Sequence, residues 1–347
     1  LNFERLAAAL QDLDTPVALF ATGDGLATPW SAAHGVTNAA TGQPLTADTP
    51  LRVASNTKTF VAASLMRLSE QRRIDLDAPA DASLDRELVA LLADAGYRPS
   101  SMTLRQLASH SAGLPDHADE NYLRIVLANP ARRWSRAEQV GLGVGRERPS
   151  DAPGTRFRYS DTGYLLLGDA IERATGWPLA RAVRRLLRFD ALGLASTWWE
   201  DAEAPPAGVA PRAHQSFGGV DVTHVDPTMD LYGGGGLVMT ARDLAAFMRG
   251  LFEGRVFDAR GTLDEMLRPG PHAGADGYRI GLAAQTIAGR PCYSHAGFWG
   301  TVAYYVPALR IAIAGFTTSR ETRTGLVSLI EAALGDALRE PAIRPGA

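Results

Sequence analysis

Four strand-like runs crowd into residues 277–318: "GYRIGLAAQT", "RPCYSHAG", "TVAYYVP" and "RIAIAGFTT". Gly and Pro turns join them with no length to spare for helical crossovers, so they can pair only antiparallel. "TPVALFAT" (15–22) supplies a further strand, and another falls within 26–36, beyond the Gly23–Asp24–Gly25 turn. Helical periodicity brackets these strands. Phe3, Leu6, Leu10 and Leu13 share one face of 2–13, and Phe60, Leu65 and Leu68 form a stripe on a helix running from Thr57 to about Arg72. Further helices are expected over 241–253 and 320–338.

Residues 76–235 read differently. "TLRQLAS", "SRAEQVGLG", "GYLLLGDAIERATG" and "PLARAVRRLLRF" are helical pieces among loops. The expected fold is α+β: an antiparallel sheet built from both chain ends and flanked by the terminal helices, with a mostly helical lobe inserted. On this division 1–75 and 236–347 form the sheet domain, 76–235 the helical domain, and the active site lies between them.

Length and composition bear on function mainly by exclusion. A chain of 347 residues buries a substantial core. Its formal charge of −3 offers no basic footprint for nucleic acid or an anionic membrane. No apolar run has the length of a membrane span. The single Cys292 rules out an intrachain disulfide. The chain opens "LNFERLAAAL", without Met or signal sequence. Periplasmic or secreted placement is expected if a leader was removed, and cytoplasmic placement otherwise.

The chain has 35 basic residues, and Lys58 is the only lysine among them. It follows Ser55 by three positions, one helical turn, so the two side chains share a face. A serine hydroxyl becomes a nucleophile when a neighbouring base takes its proton. Lysine can be that base if burial or nearby charge lowers its pKa, whereas arginine stays protonated. The same residues also fit a helix N-cap followed by a solvated lysine, so other segments must choose.

Two do. "FRYSDTGYLLLG" places Tyr159, Ser160 and Asp161 just before a helix, where a tyrosine can relay protons. "YSHAGFWGTVAYY" places His295 and Gly297 on an expected edge strand, where glycine permits close backbone approach and the next N–H can face an oxyanion.

Ser55-x-x-Lys58, Tyr159-x-Asp161 and His295-x-Gly297 resemble, in order and rough spacing, the motifs of the serine β-lactamase and penicillin-recognising enzyme superfamily. The tyrosine motif points to its class C-like branch of D-aminopeptidases, amidases, DD-peptidases and esterases. "RIDLDAP", "TLRQLASHSAGLP" and "YGGGGLVMTARDLAAF" agree, and the resemblance covers most of 15–318. It implies Ser55 as acylated nucleophile, Lys58 as base or relay, and Tyr159 as partner in proton transfer. It also implies an oxyanion hole from the N–H groups of Ser55 and Phe298, with His295 beside the substrate carboxylate or leaving group. Asp161, Gly297 and Trp299 would contact substrate, Phe298 and Trp299 lining an apolar acyl pocket. Asp161 stands where the family usually has Asn, and His295 where it often has Lys. No Glu is arranged to activate a deacylating water as in class A β-lactamases.

The expected function is a serine hydrolase acting through an acyl-enzyme on small esters or amides, D-amino-acid peptides among them, with neither metal nor organic cofactor. A β-lactamase or DD-carboxypeptidase, an acyl transferase or peptide cyclase, and a non-catalytic binding protein are the alternatives. His110 reads as part of a structural turn rather than a triad member, and His110, Asp116 and His117 lack the spacing of a zinc helix. Cys292 and His295, three apart on a strand, should face opposite sides. "YGGGGL" reads as a flexible pocket wall, not a phosphate loop. "RAVRRLLR" reads as a solvated helix face.

Overall fold

The computed structural model describes residues 1–339. Its strands are β1 (Val17–Thr22), β2 (Trp30–His34), β3 (Leu51–Arg52), β4 (Trp198–Trp199), β5 (Ser216–Phe217), β6 (Val220–Asp221), β7 (Leu237–Met239), β8 (Ala283–Ile287), β9 (Arg290–Gly297), β10 (Thr301–Val306) and β11 (Ile311–Thr317). Six of them form one sheet in the order β2-β1-β11-β10-β9-β8, antiparallel at every pairing. Both chain ends therefore meet in this sheet, where Val17 pairs with Thr317. The remaining strands are short: β3-β7-β4 make a second sheet and β5-β6 a hairpin.

The central strands β1, β10 and β11 are buried along their whole length because both faces are covered. On β1, Ala18 and Phe20 point into the main core, while Val17, Leu19 and Ala21 point into a second one. β10 divides in the same way, with Ala303 and Tyr305 on one side and Val302, Tyr304 and Val306 on the other. The helix Ala241–Phe252 covers the first face. The terminal helices Phe3–Leu10 and Arg323–Arg339 pack on each other and cover the second. The main core continues from the sheet through the helix Thr57–Glu70 into the helices of 76–235.

Local signals place those helices. Thr103 with Gln106, and Ser135 with Glu138, form capping boxes at the starts of Leu104–Ala108 and Arg136–Val144. Ser160 caps Asp161–Thr175, which ends at Gly176 with φ 72. On Leu179–Leu186, Arg181 and Arg185 are exposed while Arg184 pairs with Glu203.

Two expectations change. β9 is an interior strand, not an edge, but β8 ends opposite Ser294. His295, Ala296 and Gly297 run past it and present a locally open edge. The glycine run at 233–236 is tightly packed rather than flexible. A Cβ on Gly233 would lie 2.4 Å from the Tyr164 carbonyl, and one on Gly236 would lie 2.5 Å from Trp199 Nε1.

Candidate active site

The turn before the helix Thr57–Glu70 carries Ser55, and Ala54 ahead of it takes φ 46. The end of β9 docks directly onto this turn. A Cβ on Gly297 would meet the Val53 carbonyl at 2.2 Å, so only glycine allows the approach. Thr301 Oγ1 donates to that same carbonyl at 2.9 Å and accepts from Asn56 Nδ2 at 2.7 Å. Strand and nucleophile turn are thereby held in fixed relation.

Lys58 is fully buried, and its three donors are all used. Nζ donates to Ser55 Oγ at 2.9 Å and to the Gly234 carbonyl at 2.8 Å, and it forms an ion pair with Asp161. Burial pulls its pKa down, but Asp161, Tyr159 and Asp230 outweigh that and hold the amine well above the ordinary lysine value. The expected lowered pKa is therefore not found; Lys58 rests as an ammonium. Burial pushes Asp161 up, yet Lys58 and His117 bring it below the usual carboxylate range.

Tyr159 lies beside Lys58, whose Nζ is 5.3 Å from the ring centroid, and lines the same cleft as Ser55. Burial raises its phenol to about 12, against the lowering pull of Lys58. Its ring lies tilted against His110, centroids 4.1 Å apart. His110 Nδ1 accepts from the Ser160 N–H at 3.1 Å, and burial holds its pKa well below the ordinary value. It supports Tyr159 and does not touch Ser55. His117 approaches Thr162, burial bringing its pKa down to about 4.

His295 is buried, and its pKa falls to about 3 through desolvation and then Lys58. Its Nδ1 donates to the Ala296 carbonyl at 3.1 Å, so Nε2 accepts from Tyr278 Oη at 3.0 Å. As a neutral ring it brings no positive charge to the cleft. Cys292 points into the core on the other face of the sheet, where burial pushes its thiol up to about 11.

Ser55, Tyr159, Asp161, His295 and Phe298 line one open cleft of about 490 Å³. Arg320 and Arg323 form part of its wall, with Arg323 Nη1 donating to the Gly297 carbonyl at 3.0 Å. The Phe298 N–H donates to no protein acceptor among the described residues. Ser55, Asp161 and Phe298 also border a smaller pocket of about 70 Å³ with Trp299, Tyr122, Leu123 and Met229. Gly297 faces the nucleophile turn rather than either space.

The sequence matches the family model described as Beta-lactamase over residues 3–335. The chain belongs to the beta-lactamase family. It is 33% identical over 177 residues to esterase EstB of Burkholderia gladioli, covering 49% of this chain and 44% of that protein. The matched part spans about half the length, or less, of the first curated relatives. Among solved structures, D-amino acid amidase from Ochrobactrum anthropi SV3 superposes with TM-score 0.78 at 24% identity, covering 96% of each chain. A penicillin binding protein from Bacillus halodurans superposes with TM-score 0.78 at 22% identity, over 94% of this chain and 98% of that one. Among the described residues no helix is long and apolar enough to cross a membrane.

Several residues at this family member's site have no sequence signature. Tyr278 reaches it from the segment before β8, where Gly281 ties to Thr59. Asp116 accepts N–H bonds from Asp161 and Ala118 at 3.1 and 3.0 Å. Asp230 precedes the glycine run, and glycine makes its place: a Cβ on Gly235 would fall 2.0 Å from Asp230 Oδ2. Burial, then Asp161, pushes both Asp116 and Asp230 up to about 7. Only the fold brings these groups to Lys58.

Proposed function

We propose that the protein is a serine hydrolase that acylates Ser55 with small ester or amide substrates. The observation supporting this best is Ser55 Oγ 2.9 Å from the buried Lys58 ammonium, at the floor of an open cleft shared with Tyr159.

Proton transfer is assigned by comparing costs. Lys58 is the harder group to deprotonate, because its anionic neighbours stabilise its charge. Tyr159, at about 12, lies about five units above neutral pH and costs about 7 kcal/mol to ionise. That fits within the roughly 16 kcal/mol barrier of an enzyme turning over about ten times per second. Tyr159, as phenolate beside the Lys58 ammonium, takes the Oγ proton as Ser55 attacks the substrate carbonyl. The oxyanion faces the N–H groups of Ser55 and Phe298. Tyr159 then passes the proton to the departing amine or alcohol, leaving an ester on Ser55. Neutral His295 lines the leaving-group side and orients by hydrogen bonding. The amidase and esterase names among its structural and sequence relatives favour acyl groups of D-amino acids and simple esters.

Intact-protein mass spectrometry tests this reading. A fluorophosphonate should label the wild type once and leave Ser55→Ala unmodified, with p-nitrophenyl esters or D-aminoacyl amides turned over only by the wild type. No label and no turnover with either substrate class would overturn it. A lasting penicillin adduct would move the assignment to a DD-peptidase, and rapid penicillin turnover to a β-lactamase.

A further inference from the structure

An acyl-enzyme needs a base for the water that releases it, and three carboxylates border the smaller pocket beside Ser55: Asp119, Asp161 and Asp230. Two are committed elsewhere. Asp119 caps the helix Glu120–Ala128 by accepting from the Tyr122 N–H at 2.8 Å, and it pairs with Arg146 at 2.5 Å. Asp161 is held by Lys58. Asp230 has neither an ion pair nor a side-chain hydrogen bond among the described residues. Its Oδ1 would lie 3.4 Å from a Cβ on Gly234 and Asp161 Oδ1 would lie 3.2 Å from it, so both carboxylates crowd one face of that glycine.

Two acids so placed divide their roles: one stays ionised and the other exchanges protons nearer neutrality. The ion pair with Lys58 makes Asp161 the permanent anion. The pocket that Asp230 and Ser55 both border is about 70 Å³, enough to hold water between them.

We propose that Asp230 is the general base of deacylation, acting from the smaller pocket while Tyr159 serves acylation from the larger cleft. This rests on the acyl-enzyme proposed above. Asp230 takes one proton of a water whose oxygen attacks the ester carbonyl carbon. The tetrahedral adduct collapses, the C–Oγ bond breaks, and Ser55 Oγ takes a proton from the Tyr159 phenol, the reverse of the transfer in acylation. The proton on Asp230 returns to the Tyr159 phenolate through solvent. Ester and water become acid and free serine, with no net gain or loss of protons.

The test is burst kinetics with a p-nitrophenyl ester, with intact mass read at each time. In Asp230→Asn the acylation burst should stay within about threefold of wild type while steady-state turnover falls on the order of a hundredfold. The Ser55 ester should accumulate, and azide or hydroxylamine, which attack without a base, should restore release. Asp230→Ser repeats the test should the amide disturb the fold. Equal losses in burst and turnover, unchanged turnover, or no rescue would overturn the assignment to Asp230. Absence of any Ser55 ester in the wild type would instead overturn the acyl-enzyme itself.

Discussion

Asp161 and Lys58, 103 positions apart in sequence, form a buried ion pair on the same ammonium that donates to Ser55 Oγ at 2.9 Å. This pair sets the protonation of the whole site. Asp161 keeps Lys58 charged and adds to burial in raising Tyr159, Asp116 and Asp230, while Lys58 pulls all three the other way.

Replacing Asp161 by Asn tests that control. Asp161 raises Tyr159, so its removal lowers the phenol pKa and enlarges the phenolate fraction at any given pH. The acid limb of kcat/KM should move to lower pH. Breaking a buried pair should also reduce stability by about 3–5 kcal/mol. A pH–rate profile and denaturant midpoints check both effects. Loss of activity without movement of the limb would mean that the Asp161 anion itself is required.

Tyr159→Phe keeps the ring against His110 but removes the phenolic hydroxyl. Turnover should fall on the order of a hundredfold or more, with KM little changed. Steady-state kinetics on an ester and an amide are sufficient. Near-normal turnover would remove Tyr159 from proton transfer.

Thr301→Val keeps the shape of the side chain but deletes its bonds to Val53 and Asn56. A stability loss of about 1–3 kcal/mol is expected, together with a lower kcat, because the turn carrying Phe298 is no longer fixed against Ser55. Thermal melts and kinetics measure the two effects, and unchanged kcat would show that this tie is purely structural.

Gly235→Ala should cost about 1–3 kcal/mol, since its Cβ would fall 2.0 Å from Asp230 Oδ2 and force the carboxylate to move. Gly261→Ala is the contrasting case. That glycine lies in the helix Arg260–Leu267 with no atom within 4 Å of an added Cβ, and alanine there should stabilise by about 0.5–1 kcal/mol. Melting both variants decides whether close packing, rather than flexibility, explains the run at 233–236.

Much of this was legible from residues alone. Closely spaced apolar runs dictate antiparallel pairing, since the turns between them are too short for a crossover. The helical pieces read from "TLRQLAS" and "SRAEQVGLG" form, with Thr103 and Ser135 capping otherwise unpaired N–H groups at their starts. Ser55 and Lys58 meet because three residues make one helical turn, and such local geometry survives any tertiary arrangement. What the sequence could not express is which charges share a buried space. Lys58 was expected with a lowered pKa and is held as an ammonium, because Asp161 arrives from another helix. Asp230, Asp116 and Tyr278 reach the site only through folding, and no spacing announces them. Covalent geometry and periodicity are written along the chain. Protonation depends on desolvation and on Coulomb neighbours distant in sequence, so only the tertiary structure decides it.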